Sequence, residues 1–266
     1  MTTLEPALPG RMTPAGRAAA GVVVPPVVVL AVLLTGWWAY AKLTGVASIV
    51  LPNPVDVAAV FMERPGFLLR HMAVTAGQAA AGFALATAVG IAAGAAVSMS
   101  RHTARGVMPW LYAWEALPKV ALGPVVILWL GWGHAPKVMM AFLLSVGVIT
   151  INTVTGFRRL PAELVELAQS LAATRRQVFI RMRFWNGLPQ VFTGLKIGAP
   201  LALIGTVLGQ LLSATEGLGW IIRVTTVDTP LVYAALVLLA ITSMLINSAV
   251  VGTELVALRW HRHTNH

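Results

Sequence analysis

The chain has 266 residues, 58% of them hydrophobic and 11% charged, with a formal net charge of +10. A soluble domain carries roughly 25% charge and 45–50% apolar residues, so this chain cannot cover its surface in water. Six helices of ~20 residues take about 120 residues, which the length holds with room for loops.

The composition predicts an all-α polytopic membrane protein. With no cysteine there is no disulfide, thiolate metal site or cysteine nucleophile. Residues 1–17 read as a flexible tail and 259–266 as a second one, bounding a membrane domain at 18–258.

The first apolar run is Ala18 to Tyr40. Ala39-Tyr40-Ala41 mimics a cleavage site, but the run exceeds the ~7–15 residues of a signal-peptide core. Trp37, Trp38 and Tyr40 suit an interface, so a retained span is expected. Leu51-Pro52-Asn53-Pro54 then marks a helix stop and start, followed by an amphipathic stretch to Leu69. The second span is expected over Met72–Met99. The third covers Val107–Leu130, interrupted at Pro118 and Pro124, and the fourth Lys137–Thr155. A polar segment covers Arg158 to Trp185. The fifth span follows at Leu188–Ser213, and the sixth at Leu231–Leu258 after a loop from Ala214 to Pro230.

The positive residues sort by side. Twelve arginines fall in the N-terminal tail, the loop Arg101–Arg105, the segment 158–185 and the C-terminal tail. Lys42, Arg64, Arg70, Lys137 and Arg223 fall on the other side. The positive-inside rule therefore predicts cytoplasmic N- and C-termini. The basic excess is topology, and because the arginines lie on separate loops no nucleic-acid partner is expected.

The segment 158–185 is longer than a connection needs, and reads as two short helices. Pro161 suits a first-turn position, with Glu163 near the positive end of the dipole. Thr174-Arg175-Arg176-Gln177 has the spacing of a capping box. Val178, Phe179 and Met182 give the second helix an apolar stripe among Arg175, Arg176, Arg181 and Arg183. Periodicity alone leaves two roles open, an interfacial helix on anionic lipid or a docking helix for a cytoplasmic partner.

Glu166-Leu167-Ala168, then Ala172, then Met182-Arg183-Phe184-Trp185 resembles the EAA loop of binding-protein-dependent ABC importer permeases. That loop is written E-A-A, three residues, G, nine residues, I-x-L-P; the spacing holds, while Leu167, Ala172 and the last motif depart in identity. Leu51-Pro52-Asn53-Pro54-Val55-Asp56-Val57, Pro118 to Pro124 with Trp129-Leu130-Gly131, Thr193 to Lys196, and Gly217-Leu218-Gly219 are similar to the sulfonate, taurine and nitrate branch.

The resemblance implies a permease of the bacterial inner membrane that works as a dimer. It implies two copies of a separate ATP-binding subunit carrying ATP and magnesium, and a solute-binding protein outside. In agreement, the chain has no G-x-x-x-x-G-K-[ST] phosphate loop. ATPase-coupling positions are implied at Glu163, Glu166, Ala168, Ala172, Thr174, Arg175, Arg176, Gln177 and Phe179. Alanine in place of glycine at 172 disfavours a left-handed residue, so a less kinked turn is expected there.

Within the spans, Glu115 and Lys119 stand four apart, a pairing distance on one helix face. They and Lys196 are candidate path residues, because ionisable groups at membrane depth are expensive. The alternative for Lys196 is snorkelling to the inner surface. Glu254 is expected to pair with a nearby arginine. Gly90 with Gly94, Gly194 with Gly198, and Gly205 with Gly209 have the spacing of close helix contacts, within the subunit or across a dimer. His261, His263 and His266 read as a flexible tail, not a metal site. No catalytic set gathers in one place.

The expected function is the path for a small sulfonate-, taurine- or nitrate-like anion. The alternatives are a pyrimidine-type vitamin precursor, a proton-coupled carrier working without ATP, or an intramembrane enzyme using Glu115.

Overall fold

The structure, a computed structural model, describes residues 14–225 and 227–259; side chains are described from Val28, except those of Ala162, Val165, Leu167, Gln169 and Arg175. Residues 1–13 of the expected N-terminal tail, and Arg262 and the histidines of the C-terminal tail, lie outside the described residues; residues 14–17, expected in the flexible tail, belong to the first helix. Among the described residues every regular element is helical.

Chain order gives α1 (Pro14–Leu43), α2 (Pro54–Glu63), α3 (Pro65–Ser98), α4 (Arg101–Ala116) and α5 (Gly123–Leu130). Then come α6 (Ala135–Arg158), α7 (Ala162–Ser170), α8 (Arg175–Val178), α9 (Phe184–Ser213), α10 (Leu218–Val224) and α11 (Thr229–Ala257). A 3-10 turn at Lys119–Leu122 joins α4 to α5, and a π-helical stretch at Phe179–Arg183 joins α8 to α9.

Helices α3, α6, α11 and the continuous stretch Arg176–Ser213 are each long and apolar enough to cross a membrane. The expected third span is a broken one: α4 and the Lys119–Leu130 part are bent by 82°. Proline clashes with helical backbone before it, so Leu117 takes an extended conformation (φ −69°, ψ 137°) and the helix ends there. Pro124, by contrast, sits in the first turn of α5, where its missing N–H costs nothing. The six expected spans thus stand at four long helices and one broken pair. The described side of the first run is the 16-residue apolar stretch Val28–Leu43.

Helix α6 is the centre of the bundle and packs most extensively on α9 and α3. Glycines explain how. On α3, Gly82, Gly90 and Gly94 face Ala141, Ile149 and Thr153 in constant register, so the two helices run parallel. On α9, Gly194, Gly198, Gly205 and Gly209 face Asn152, Ile149, Met140 and Lys137, so α9 runs antiparallel to α6. All three G-x-x-x-G pairs therefore serve contacts within the subunit. A Cβ at Gly205 would lie against the Met140 carbonyl, backbone that cannot move aside.

Two larger apolar cores lie toward the two ends, with a smaller one of Val126, Met140 and Leu144 between α5 and α6. Val57, Leu68, Leu218, Ile221, Leu231 and Leu238 gather where α2, α3, α10 and α11 meet. Ile149, Phe157, Val191, Phe192, Ala199 and Val250 fill the other half, toward the end that carries residues 159–183. That end is called the arginine-rich end below.

Candidate functional site

At the arginine-rich end, α7 begins after Pro161 with Glu163 in its first turn, where a carboxylate meets the positive end of the helix dipole. Ala168 is buried, while Glu163 and Glu166 are exposed. The turn after α7 departs from expectation. Ala172 has φ 46°, in the left-handed region, where a less kinked turn is expected from the sequence. The reason is the bond that ends the helix: Ala173 N–H donates to Ala168 O at 3.0 Å, the closure of a Schellman motif, which requires a left-handed residue at position 172. Helix closure outweighs the alanine's penalty of about 1–2 kcal/mol.

The capping box forms. Thr174 N–H donates to Gln177 Oε1 at 2.8 Å, and Gln177 N–H donates to Thr174 Oγ1 at 3.4 Å. Local satisfaction at both ends holds the segment in two short helices. Phe179 turns inward, its ring 5.5 Å from Phe157 at 84°, and Phe184 lies 5.7 Å from the same ring. Outward, Leu171 (66% exposed) and Ile180 (51%) stand among exposed Arg176 and Gln177. The side chain of Arg175 lies outside the described residues. Arg183 ties the segment to a third helix, donating from an Nη to Ser98 O at 3.4 Å.

The candidate path residues fall into two separate pairs. Lys119 Nζ donates to Glu115 Oε2 at 2.6 Å across the break in the third span, so Pro118 does not disturb the pair. The Glu115 carboxylate occupies the space that a Cβ at Gly147 of α6 would fill. Lys196 is paired. Its Nζ donates to both carboxylate oxygens of Glu254, at 2.9 and 3.0 Å, on α11. Glu254 accordingly pairs with a lysine where an arginine is expected from the sequence. Packing explains this: α9 and α11 lie directly against each other and bring the two groups into contact.

A polar cluster at the opposite end is missing from the expectations. Gln210 of α9, 0% exposed, donates to Gln78 Oε1 at 2.8 Å and accepts from Gly219 N–H at 2.9 Å. Leu218 N–H donates to Thr75 Oγ1, and Gly217 N–H to His71 Nδ1, each at 2.8 Å. Gly217 has φ 105°, and the Gln210 side chain fills the place of a Cβ. These bonds satisfy the first turn of α10 and clasp it to α3 and α9. The signal was present: His71, Thr75 and Gln78 recur at three- and four-residue spacing, one polar stripe in an Ala- and Gly-rich span.

Comparison with known proteins agrees with this architecture. The family described as "Binding-protein-dependent transport system inner membrane component" matches residues 86–253. The chain is 31% identical over 240 residues to the formylaminopyrimidine transport permease protein ThiX of Halalkalibacterium halodurans, covering 89% of this chain and 96% of that one. It is 34% identical over 237 residues to the riboflavin transport system permease protein RibX of Chloroflexus aurantiacus, covering 88% of each. The taurine transport system permease protein TauC of Escherichia coli is 28% identical over 242 residues, covering 87% and 88%. In fold, the chain is similar to one in the MetNI methionine ABC transporter in inward facing conformations. That likeness has TM-score 0.64 at 17% identity, over 73% of this chain and 99% of that one.

Proposed function

Because the chain belongs to the family of binding-protein-dependent transport system inner membrane components, we propose that residues 158–185 are the surface through which a separate ATP-binding subunit drives it. The chain is a permease subunit of an ABC importer for a small solute, multi-pass in the inner membrane. In this reading the termini and the 158–185 segment face the cytoplasm, following the arginine distribution, and α1 supplies a sixth span.

One observation carries the coupling role. Two capped short helices between long spans present Leu171 and Ile180 outward, while Phe179 is packed inward on Phe157. A segment built this way transmits a push on its outer face to α6 and α9. Glu163, Glu166, Ala168, Ala172, Thr174, Arg175, Arg176, Gln177 and Phe179 are its working positions. Two ATP-binding subunits, holding ATP and magnesium, serve two copies of this chain, and a solute-binding protein delivers from outside. The chain itself carries no enzymatic step. ATP-driven closure shifts the inward- and outward-open populations only by the difference in affinity for the two states.

For substrate, a small anion of sulfonate, taurine or nitrate type fits a path containing Lys119. A pyrimidine-type precursor is the second reading, favoured by the name of the ThiX relative. The test is uptake in proteoliposomes holding this chain, its ATP-binding subunit and its solute-binding protein. Uptake that needs ATP and stops with vanadate supports the reading; uptake from the permease alone overturns it.

A further inference from the structure

A cavity of about 270 Å³ opens at the end opposite the arginine-rich one, lined among others by Gln78, His134, Lys137, Ser213 and Glu216. Lys137 is 2% exposed and its stem lies against Gly209 of α9. Its Nζ donates to Ser213 O at 3.0 Å. An ammonium carries three N–H donors, so one carbonyl leaves it underused. Among the described residues no carboxylate pairs with it, whereas buried Lys119 has Glu115 and half-buried Lys196 has Glu254. A buried charge without a counter-ion is expensive.

Its position adds to the cost. Lys137 is the third residue of a 24-residue helix, at the positive end of the dipole, and His134 at the N-cap makes no side-chain capping bond. Arg223 lies near, committed to the carbonyls of Ala214 (2.6 Å) and Leu212 (3.3 Å). Among the described residues Glu216 is the one acidic residue of the lining, and it already faces Arg70 at 3.8 Å and His134 Nε2 at 3.4 Å. With the Glu216 carboxylate turned to Arg70 and His134, Lys137 and the helix end are the groups left to attract an anion into this space.

We propose that this cavity binds the oxyanionic group of a small organic solute, a sulfonate or carboxylate, with Lys137 as its counter-ion. The assignment deepens the transport reading and rests on it. Gln78 joins the cavity to the α10 clasp: its Nε2 lies 2.7 Å from His134 Nδ1, and its Oε1 accepts from Gln210. An anion drawn to Lys137 thus sits one hydrogen bond from the network that holds α10.

The test uses the assembled transporter, permease with ATP-binding subunit, in phosphatidylcholine nanodiscs. Ethanesulfonate at millimolar concentration is expected to raise Tm by at least about 2 °C, and neutral ethanesulfonamide to leave it unchanged. Lys137→Gln removes the shift and Lys137→Arg keeps it. An equal shift with ethanesulfonamide, no shift with either probe, or a shift retained in Lys137→Gln overturns the proposal. So does a shift that phosphatidylglycerol in the discs produces and ethanesulfonate does not, since that assigns the site to lipid. The two wild-type probes decide the matter even where Lys137→Gln fails to assemble. Co-elution of the ATP-binding subunit is read from the same preparation, so loss of anion binding with the subunit still attached overturns the cavity assignment alone.

Discussion

The rings of Phe157 and Phe179 meet edge to face at 5.5 Å, and this contact joins the short helices at the arginine-rich end to the central helix of the bundle. Phe157 is 1% exposed and also touches Phe184, so one buried ring receives both arms of the 158–185 segment. Truncation of Phe179 removes the inner contact and leaves Ile180 on the outer face. Phe179→Ala is expected to retain the ATP-binding subunit but to lose at least about tenfold in uptake per ATP hydrolysed, equivalent to about 1.4 kcal/mol of coupling. Parallel uptake and ATPase assays in proteoliposomes measure the ratio; an unchanged ratio removes the ring contact from the coupling path.

Ala172 holds a conformation suited to glycine. Ala172→Gly is expected to stabilise the turn by about 0.5–1 kcal/mol, the relief of left-handed strain less the entropy of a freer unfolded chain. Ala172→Val, β-branched at positive φ, is expected to destabilise it. Thermal unfolding of the purified permease orders the three as Gly, Ala, Val, and any other order contradicts the Schellman geometry.

The glycines on the helix faces are not equivalent. Gly205→Val drives a side chain into the Met140 backbone and is expected to cost about 1–3 kcal/mol or more. Gly77→Ala meets nothing within 4 Å, and is expected to gain about 0.5–1 kcal/mol from helix propensity. Tm in detergent separates the two in opposite directions.

Lys196 and Glu254 join α9 to α11 with both side chains partly exposed, 36% and 19%. Lys196→Met and Glu254→Gln are each expected to be more harmful than half of the double substitution, with a coupling of about 1–2 kcal/mol. A double-mutant cycle on thermal stability checks this. Additive effects would mean the pair contributes nothing as a pair.

What was legible in the sequence was local. Thr174 and Gln177 stand at a spacing that closes on itself, and their pairing forms as expected; Glu115 and Lys119 also pair, but across the break after α4 and not on one helical face. The G-x-x-x-G spacing announced close approach, but only the registry of Gly90 on Ile149 and Gly205 on Met140 shows that the partner is α6 of the same chain. At Ala172 residue preference points to the wrong turn, because the Ala173-to-Ala168 bond, and not the alanine, dictates its φ. The clasp of Thr75 and Gln78 to Gln210 is not legible in the sequence, because Gln210 lies over 130 positions from both. Each alone passes for a satisfied polar residue in a span. The enzyme and proton-carrier alternatives give way to the family match.

In the proposed transporter the outer face of residues 158–185 meets the ATP-binding subunit. A photo-reactive amino acid placed at Ile180, half-exposed at that face, tests it most directly in membranes holding the complete transporter. A covalent adduct with the ATP-binding subunit is expected from position 180 and none from Met244, exposed midway along α11. No adduct at 180, or equal adducts at both positions, would contradict it.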